Sequence, residues 1–167
     1  MARRAQESDS VLRIRRGIGD IGPPALASLP ARFRDVKYVS SLHPCAPGVS
    51  GVEAGANCQQ YAYELLRHYG LNPPALRSSE LFADEQSSRL VASPEPLDLL
   101  LYNATHEPFG AHVAVFLNRG RAVHLSAEEG SPVVWSLEEF QQRERYRVLV
   151  GIKRIVRTVD TSMAPDL

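Results

Sequence analysis

The stretch His112-Val113-Ala114-Val115-Phe116-Leu117-Asn118-Arg119-Gly120-Arg121-Ala122-Val123-His124 reads as a β-hairpin with an imidazole near the open end of each arm. Both arms are apolar, and Asn118-Arg119-Gly120 between them supplies a turn with glycine at its left-handed position. Taken as a three-residue loop, it sets Leu117 opposite Arg121, Ser126 opposite His112 and Ala114 opposite His124. The two histidines are then diagonal neighbours on one face, about 7–8 Å apart at the backbone and within reach of each other's rings. A two-residue loop would turn them to opposite faces. The first register also gathers Val113, Val115, Leu117, Val123 and Leu125 on the other face, leaving Ala114, Phe116, Ala122 and Ser126 beside the histidines.

Upstream, Asn57 is a good helix N-cap, and Tyr61, Leu65, Leu66 and Tyr69 recur at helical spacing until Gly70 and Pro73-Pro74 end the run. Cys58 is therefore the first residue of an amphipathic helix. Unpaired N–H groups and the positive end of the helix dipole are expected to lower its thiol pKa. The same amides could stabilise an oxyanion. A thiol with a base and an orienting group is the arrangement of nucleophilic catalysis. Other readings of these residues are a buried small hydrophobe for Cys58, a hydrogen-bonded core histidine for His124, and a zinc site using Cys58, His112, His124 and His43 or His106. The last lacks close ligand spacing.

Nineteen basic and nineteen acidic residues cancel across 167 residues, which gives no electrostatic case for nucleic acid or an anionic membrane. The length suits one domain. No apolar run approaches a membrane span, and no secretory leader pattern opens the sequence, so a cytoplasmic chain, exported if at all by a non-classical route, is the expectation. Cys45 and Cys58 are too few for a disulfide scaffold; were they to pair, the bond would act as a redox switch. Neither a cofactor nor a metal is expected.

The rest of the chain reads as α+β. Residues 1–35 form an arm and lead-in, with five arginines in the first sixteen residues read as solvated and a short helix near Ala25–Ser28. Residues 36–157 form the domain, and 158–167 a frayed tail. Within the domain, residues 36–56 are a loop, Ser78–Phe82 a short helix, and Glu85–Pro96 polar connection. Strands are expected at Leu97–Tyr102, Ala111–Leu117, Arg121–Ser126, Pro132–Trp135 and Tyr146–Val156. Ser136-Leu137-Glu138-Glu139 is a capping box opening another helix. Asp98 is read as a structural turn residue and Trp135 as core.

From Tyr38 to Ile155 the pattern resembles the NlpC/p60 superfamily of papain-like cysteine peptidases, which cut peptide bonds in bacterial cell-wall peptides. The matching pieces are Asn57-Cys58 with its helix to Tyr69-Gly70-Leu71, Pro96-Leu97-Asp98-Leu99-Leu100-Leu101-Tyr102, His112 to Leu117 with Gly120, Val123-His124, and Val150-Gly151-Ile152-Lys153-Arg154. The resemblance implies a papain-like fold, Cys58 as nucleophile, His112 as general base and His124 as its orienter, in the family's order. It implies substrate contacts from Tyr38, Asn57, Gln59 and Ala111, and a small peptide, such as a cell-wall muropeptide, as partner. The family usually has Asp-Cys-Ser-Gly where this chain has Asn57-Cys58-Gln59-Gln60, so the carboxylate that helps hold a substrate's free amine is missing. The alternatives left open are a thiol acyltransferase or amidase on another substrate, and a non-catalytic relative that binds peptide or protein.

Overall fold

The computed structural model of the chain describes residues 9–19 and 24–159. Four α-helices, α1 (Asp9–Gly19), α2 (Cys58–His68), α3 (Ser78–Ala83) and α4 (Leu137–Gln141), accompany six strands. These are β1 (Ser88–Val91), β2 (Leu99–Asn103), β3 (His112–Asn118), β4 (Arg121–Leu125), β5 (Pro132–Ser136) and β6 (Val148–Ile155). They form one sheet in the order β1-β6-β2-β3-β4-β5 with every neighbouring pair antiparallel, the expected α+β arrangement.

The β3–β4 hairpin differs from its sequence reading in one instructive way. Asn118, not Leu117, opposes Arg121, so the turn has two central residues, Arg119 and Gly120, at φ 48° and 70°. Left-handed residues at both positions match the right-handed twist of the strands. A two-residue turn alone would separate the histidines, but the register shifts between Phe116 and Asn118, and the extra residue there returns Val115 to Val123 and Phe116 to Ala122. The shared histidine face survives although its expected cause was wrong.

Alternation along β3 and β4 divides the interior in two. Val113, Val115, Leu117, Val123 and Leu125 pack with Tyr61, Leu65 and Leu66 of α2 and Val11 of α1 in an aliphatic layer. On the opposite face Ala114, Phe116 and Ala122 meet Tyr102, Trp135, Phe140 and Tyr146. Trp135 is core, as expected. The capping box at α4 is present, with Ser136 Oγ accepting from Glu139 N–H and Glu139 accepting from Ser136 N–H.

Four expectations are corrected. Residues 9–19 are not a solvated arm: Val11 is fully buried, and Arg15 donates to Asp98 Oδ1 at 2.5 Å and to the Pro96 carbonyl at 2.8 Å. Residues 1–8 lie outside the described residues. Arg154 reaches the other Asp98 oxygen at 2.7 Å, so this aspartate, itself fully buried, ties α1, β2 and β6 together and is more than a turn residue. The polar connection contains strand β1, which pairs on one side only and keeps Leu90 exposed, hence its lack of an apolar pattern. The tail is not frayed at its start, since Thr158 bridges Leu71 and Val159 N–H donates to the Gly70 carbonyl at 2.8 Å. Residues 160–167 lie outside the described residues.

Candidate active site

The helix start is fixed from two directions. Asn57 Oδ1 accepts from Gln60 N–H at 2.8 Å, and Asn57 N–H donates to the Leu42 carbonyl at 2.9 Å. The preceding loop pairs with itself through Val39 N–H to Ala56 O at 2.8 Å and Ala56 N–H to Lys37 O at 3.0 Å, which sets Tyr38 beside Cys58. Cys58 is partly exposed, and both cysteines are free thiols. It opens on a cleft of about 180 Å³ whose wall includes Tyr38, Asn57, Gln59, Ala111 and His112. The layers meet here because α2 points its N-terminus at the start of β3, where the backbone N–H of Val113 acts to favour the Cys58 thiolate.

The thiol departs from its sequence expectation. Burial pushes the Cys58 thiol up, and the opposing influences, the backbone N–H groups of Val113, Gln59 and Cys58 and the charge of Arg77, do not overcome it. The helix start acts in the expected direction and is outweighed by desolvation. The proton therefore rests on sulfur.

His112 and His124 are brought together: Nε2 of His112 lies 2.7 Å from Nδ1 of His124, with the rings edge to face at 4.8 Å. One of these nitrogens must carry the shared proton. If His112 is to accept a proton from a thiol at Nδ1, it carries hydrogen on Nε2 and donates to His124. His124 must then hold its own hydrogen on Nε2. That atom is buried without a hydrogen-bond partner among the described residues, in a cage whose Trp135 and Phe140 rings lie 4.2 and 4.7 Å from the imidazole. A ring face receives an N–H far better than it receives a lone pair. Burial holds both histidines well below the usual imidazole range; Arg145 adds to this for His112, and His112 and Arg143 for His124. Both are neutral near pH 7, so His124 keeps an acceptor for His112.

His124 stands behind His112 and outside the cleft wall, whereas Cys58, His112, Tyr38, Asn57, Gln59 and Ala111 all border it. Asn57 and Gln59 border it, Asn57 Oδ1 engaged as the cap and Gln59 Nε2 donating to the Tyr63 hydroxyl at 2.7 Å and the Leu76 carbonyl at 2.6 Å. Arg77, Arg145 and Tyr146 are wall residues that sequence reasoning did not single out. Tyr146, whose ring lies 4.7 Å from that of His112, was placed at the head of a strand, and Arg77 and Arg145 resemble any solvated arginine. Only the tertiary fold turns them to the site. Among the described residues no cluster of three metal-ligating side chains occurs, and no helix is long and apolar enough to cross a membrane.

No family model matches the sequence, and no curated protein matches it either. Solved structures do. NlpC2 from Trichomonas vaginalis superposes with a TM-score of 0.55 at 13% identity over 95% of this chain and 51% of that one. An NlpC/p60 family protein from Bacillus cereus superposes at 0.54 with 17% identity over 83% of this chain and 43% of that one. This chain thus spans about half the length of those two proteins. The p60 domain of an antigen from M. avium subspecies paratuberculosis superposes at 0.51 with 14% identity, covering 89% of this chain and 96% of that domain. At such identities the likeness is one of architecture, and the chain has the fold of an NlpC/p60 domain.

Proposed function

We propose that the chain is a cysteine hydrolase that cleaves an amide bond in small peptides, with bacterial cell-wall peptides as the leading substrate class. The observation that carries this reading is the 2.7 Å bond from His112 Nε2 to His124 Nδ1, which leaves His112 Nδ1 for the thiol sharing its cleft. The acyl-enzyme chemistry follows from that tautomer. As the Cys58 sulfur attacks the carbonyl carbon, its proton passes to His112 Nδ1 and the carbonyl π electrons move to oxygen. The N–H groups of Cys58 and Gln59 at the helix start receive the oxyanion. Collapse breaks the C–N bond, and the His112 proton goes to the departing amine. Water, deprotonated by the same nitrogen, then attacks the thioester carbon; the C–S bond breaks to release the carboxylic acid, and His112 returns the proton to the departing sulfur. His124 stays neutral throughout and orients the ring.

One observation favours a second reading, a domain that binds peptides without cutting them: a thiol raised by burial is a poor resting nucleophile. Turnover separates the two. Wild type and Cys58→Ala, checked for folding by circular dichroism, are profiled against a panel of cell-wall peptides and a general tripeptide library. Cleavage by wild type alone is the expected result. Peptide binding without cleavage by either protein supports the second reading, and equal cleavage by both removes Cys58 from the mechanism.

A further inference from the structure

Among the described residues, the cleft beside Cys58 is walled by two cations, Arg77 and Arg145, and by no aspartate or glutamate. Because the whole chain has equal numbers of acidic and basic residues, this is a local separation and not a consequence of composition.

Neither arginine is committed elsewhere in a way that would explain its position. The Arg77 backbone N–H donates to Glu80 at 3.1 Å, but its guanidinium makes no hydrogen bond or ion pair among the described residues. Arg145 pairs with Glu128 at 3.6 Å, a solvent-facing contact between two exposed side chains and worth little. The two arginines bracket the chemistry. Arg77 acts electrostatically on Cys58, Arg145 on His112, and both on the hydroxyl of Tyr38. That hydroxyl, half-buried in the same wall, likewise has no hydrogen-bond partner among the described residues. At the helix start, Asn57 and Gln59 carry no charge, so no carboxylate there would pair with a substrate's ammonium group.

We propose that the cleft selects peptides carrying a carboxylate close to the scissile bond, held by Arg77 and Arg145 with the Tyr38 hydroxyl between them. The scissile bond belongs to the hydrolase reading above; the anion site does not depend on it. A guanidinium offers a carboxylate two parallel N–H donors, the strongest such pairing available to a side chain. A concave wall of one sign also concentrates ligands of the other.

The test uses Cys58→Ala protein, which holds peptides without consuming them, and two tripeptide sets that differ only in Glu and Asp against Gln and Asn. Calorimetry should find the acidic set bound about tenfold tighter or more. Arg77→Gln and Arg145→Gln in the same background should each bring that ratio toward one, and Arg77→Lys should restore part of it. Equal binding of the two sets, or binding of neither, overturns the anion site. Turnover by the unmutated protein keeps the two proposals apart. Tight binding of the acidic set with no cleavage of either leaves the anion site standing and removes the hydrolase, whereas equal cleavage of both sets keeps the hydrolase and removes the selectivity.

Discussion

The two faces of one hairpin are built from different chemistry. Toward α1 and α2 it presents valines and leucines; toward α4 it presents alanines and a phenylalanine under Tyr102, Trp135, Phe140 and Tyr146, with His124 buried among the rings. Strand alternation puts these environments one residue apart in sequence and a sheet's thickness apart in space. The aliphatic face holds the helix that carries the thiol. The aromatic face buries a polar ring while offering its Nε2–H a π surface and, among the described residues, no proton acceptor, which favours one tautomer of the pair. Fold and proton inventory are thus served by separate layers that meet only at the start of β3.

Four substitutions or conditions test whether that division is real. The largest effect is expected at His112, where replacement by Ala should lower kcat by about 10²–10⁴-fold with little change in melting temperature. A comparable loss of stability would show that the aromatic layer holds the fold as well. On the other face, Leu65→Ala should cost about 2–5 kcal/mol in urea unfolding while leaving the pH profile of the folded enzyme in place. A shifted profile would mean that the layers communicate.

The third test is acid. His124 is fully buried and its pKa is depressed by desolvation, so below the ordinary 6.5 the unfolded chain takes up a proton that the folded chain refuses. Stability should be flat above that pH and fall below it by up to about 1.4 kcal/mol per pH unit for this one ring. His124→Phe should reduce the measured slope, leaving the part that His112 supplies, as read from urea midpoints at pH 7, 6 and 5; an unchanged slope assigns the acid lability elsewhere. The smallest effect is expected from Trp135→Leu, which admits water near Nε2 of His124. It should move the acid limb of kcat/KM upward, from below the usual imidazole range toward it, by less than one pH unit. No movement would deny the cage its role.

Much of this was legible in the sequence because it is local. The Cys58 helix follows from a cap, an apolar period and two prolines, and the common face of the histidines follows from alternation. The expected three-residue loop was wrong in detail because twist matching favours left-handed residues at both turn positions, and a bulge upstream then repaired the register. What escaped is what pairs far along the chain. Arg15 and Asp98 are 83 residues apart, and a charged residue in an arginine-rich leader gives no sign that it will be buried. Arg77 and Arg145 escaped for the same reason. The thiol expectation failed through a competition of magnitudes, since sequence displays the helix start but not the burial that outweighs it.

The most direct test of the central claim is activity measured against the extent of Cys58 alkylation, in a Cys45→Ser background that removes the exposed second thiol. If the Cys58 sulfur forms the acyl-enzyme, peptide cleavage should fall in proportion to iodoacetamide incorporated at Cys58 and reach zero at one equivalent. Cleavage that survives complete modification of that sulfur would contradict the account.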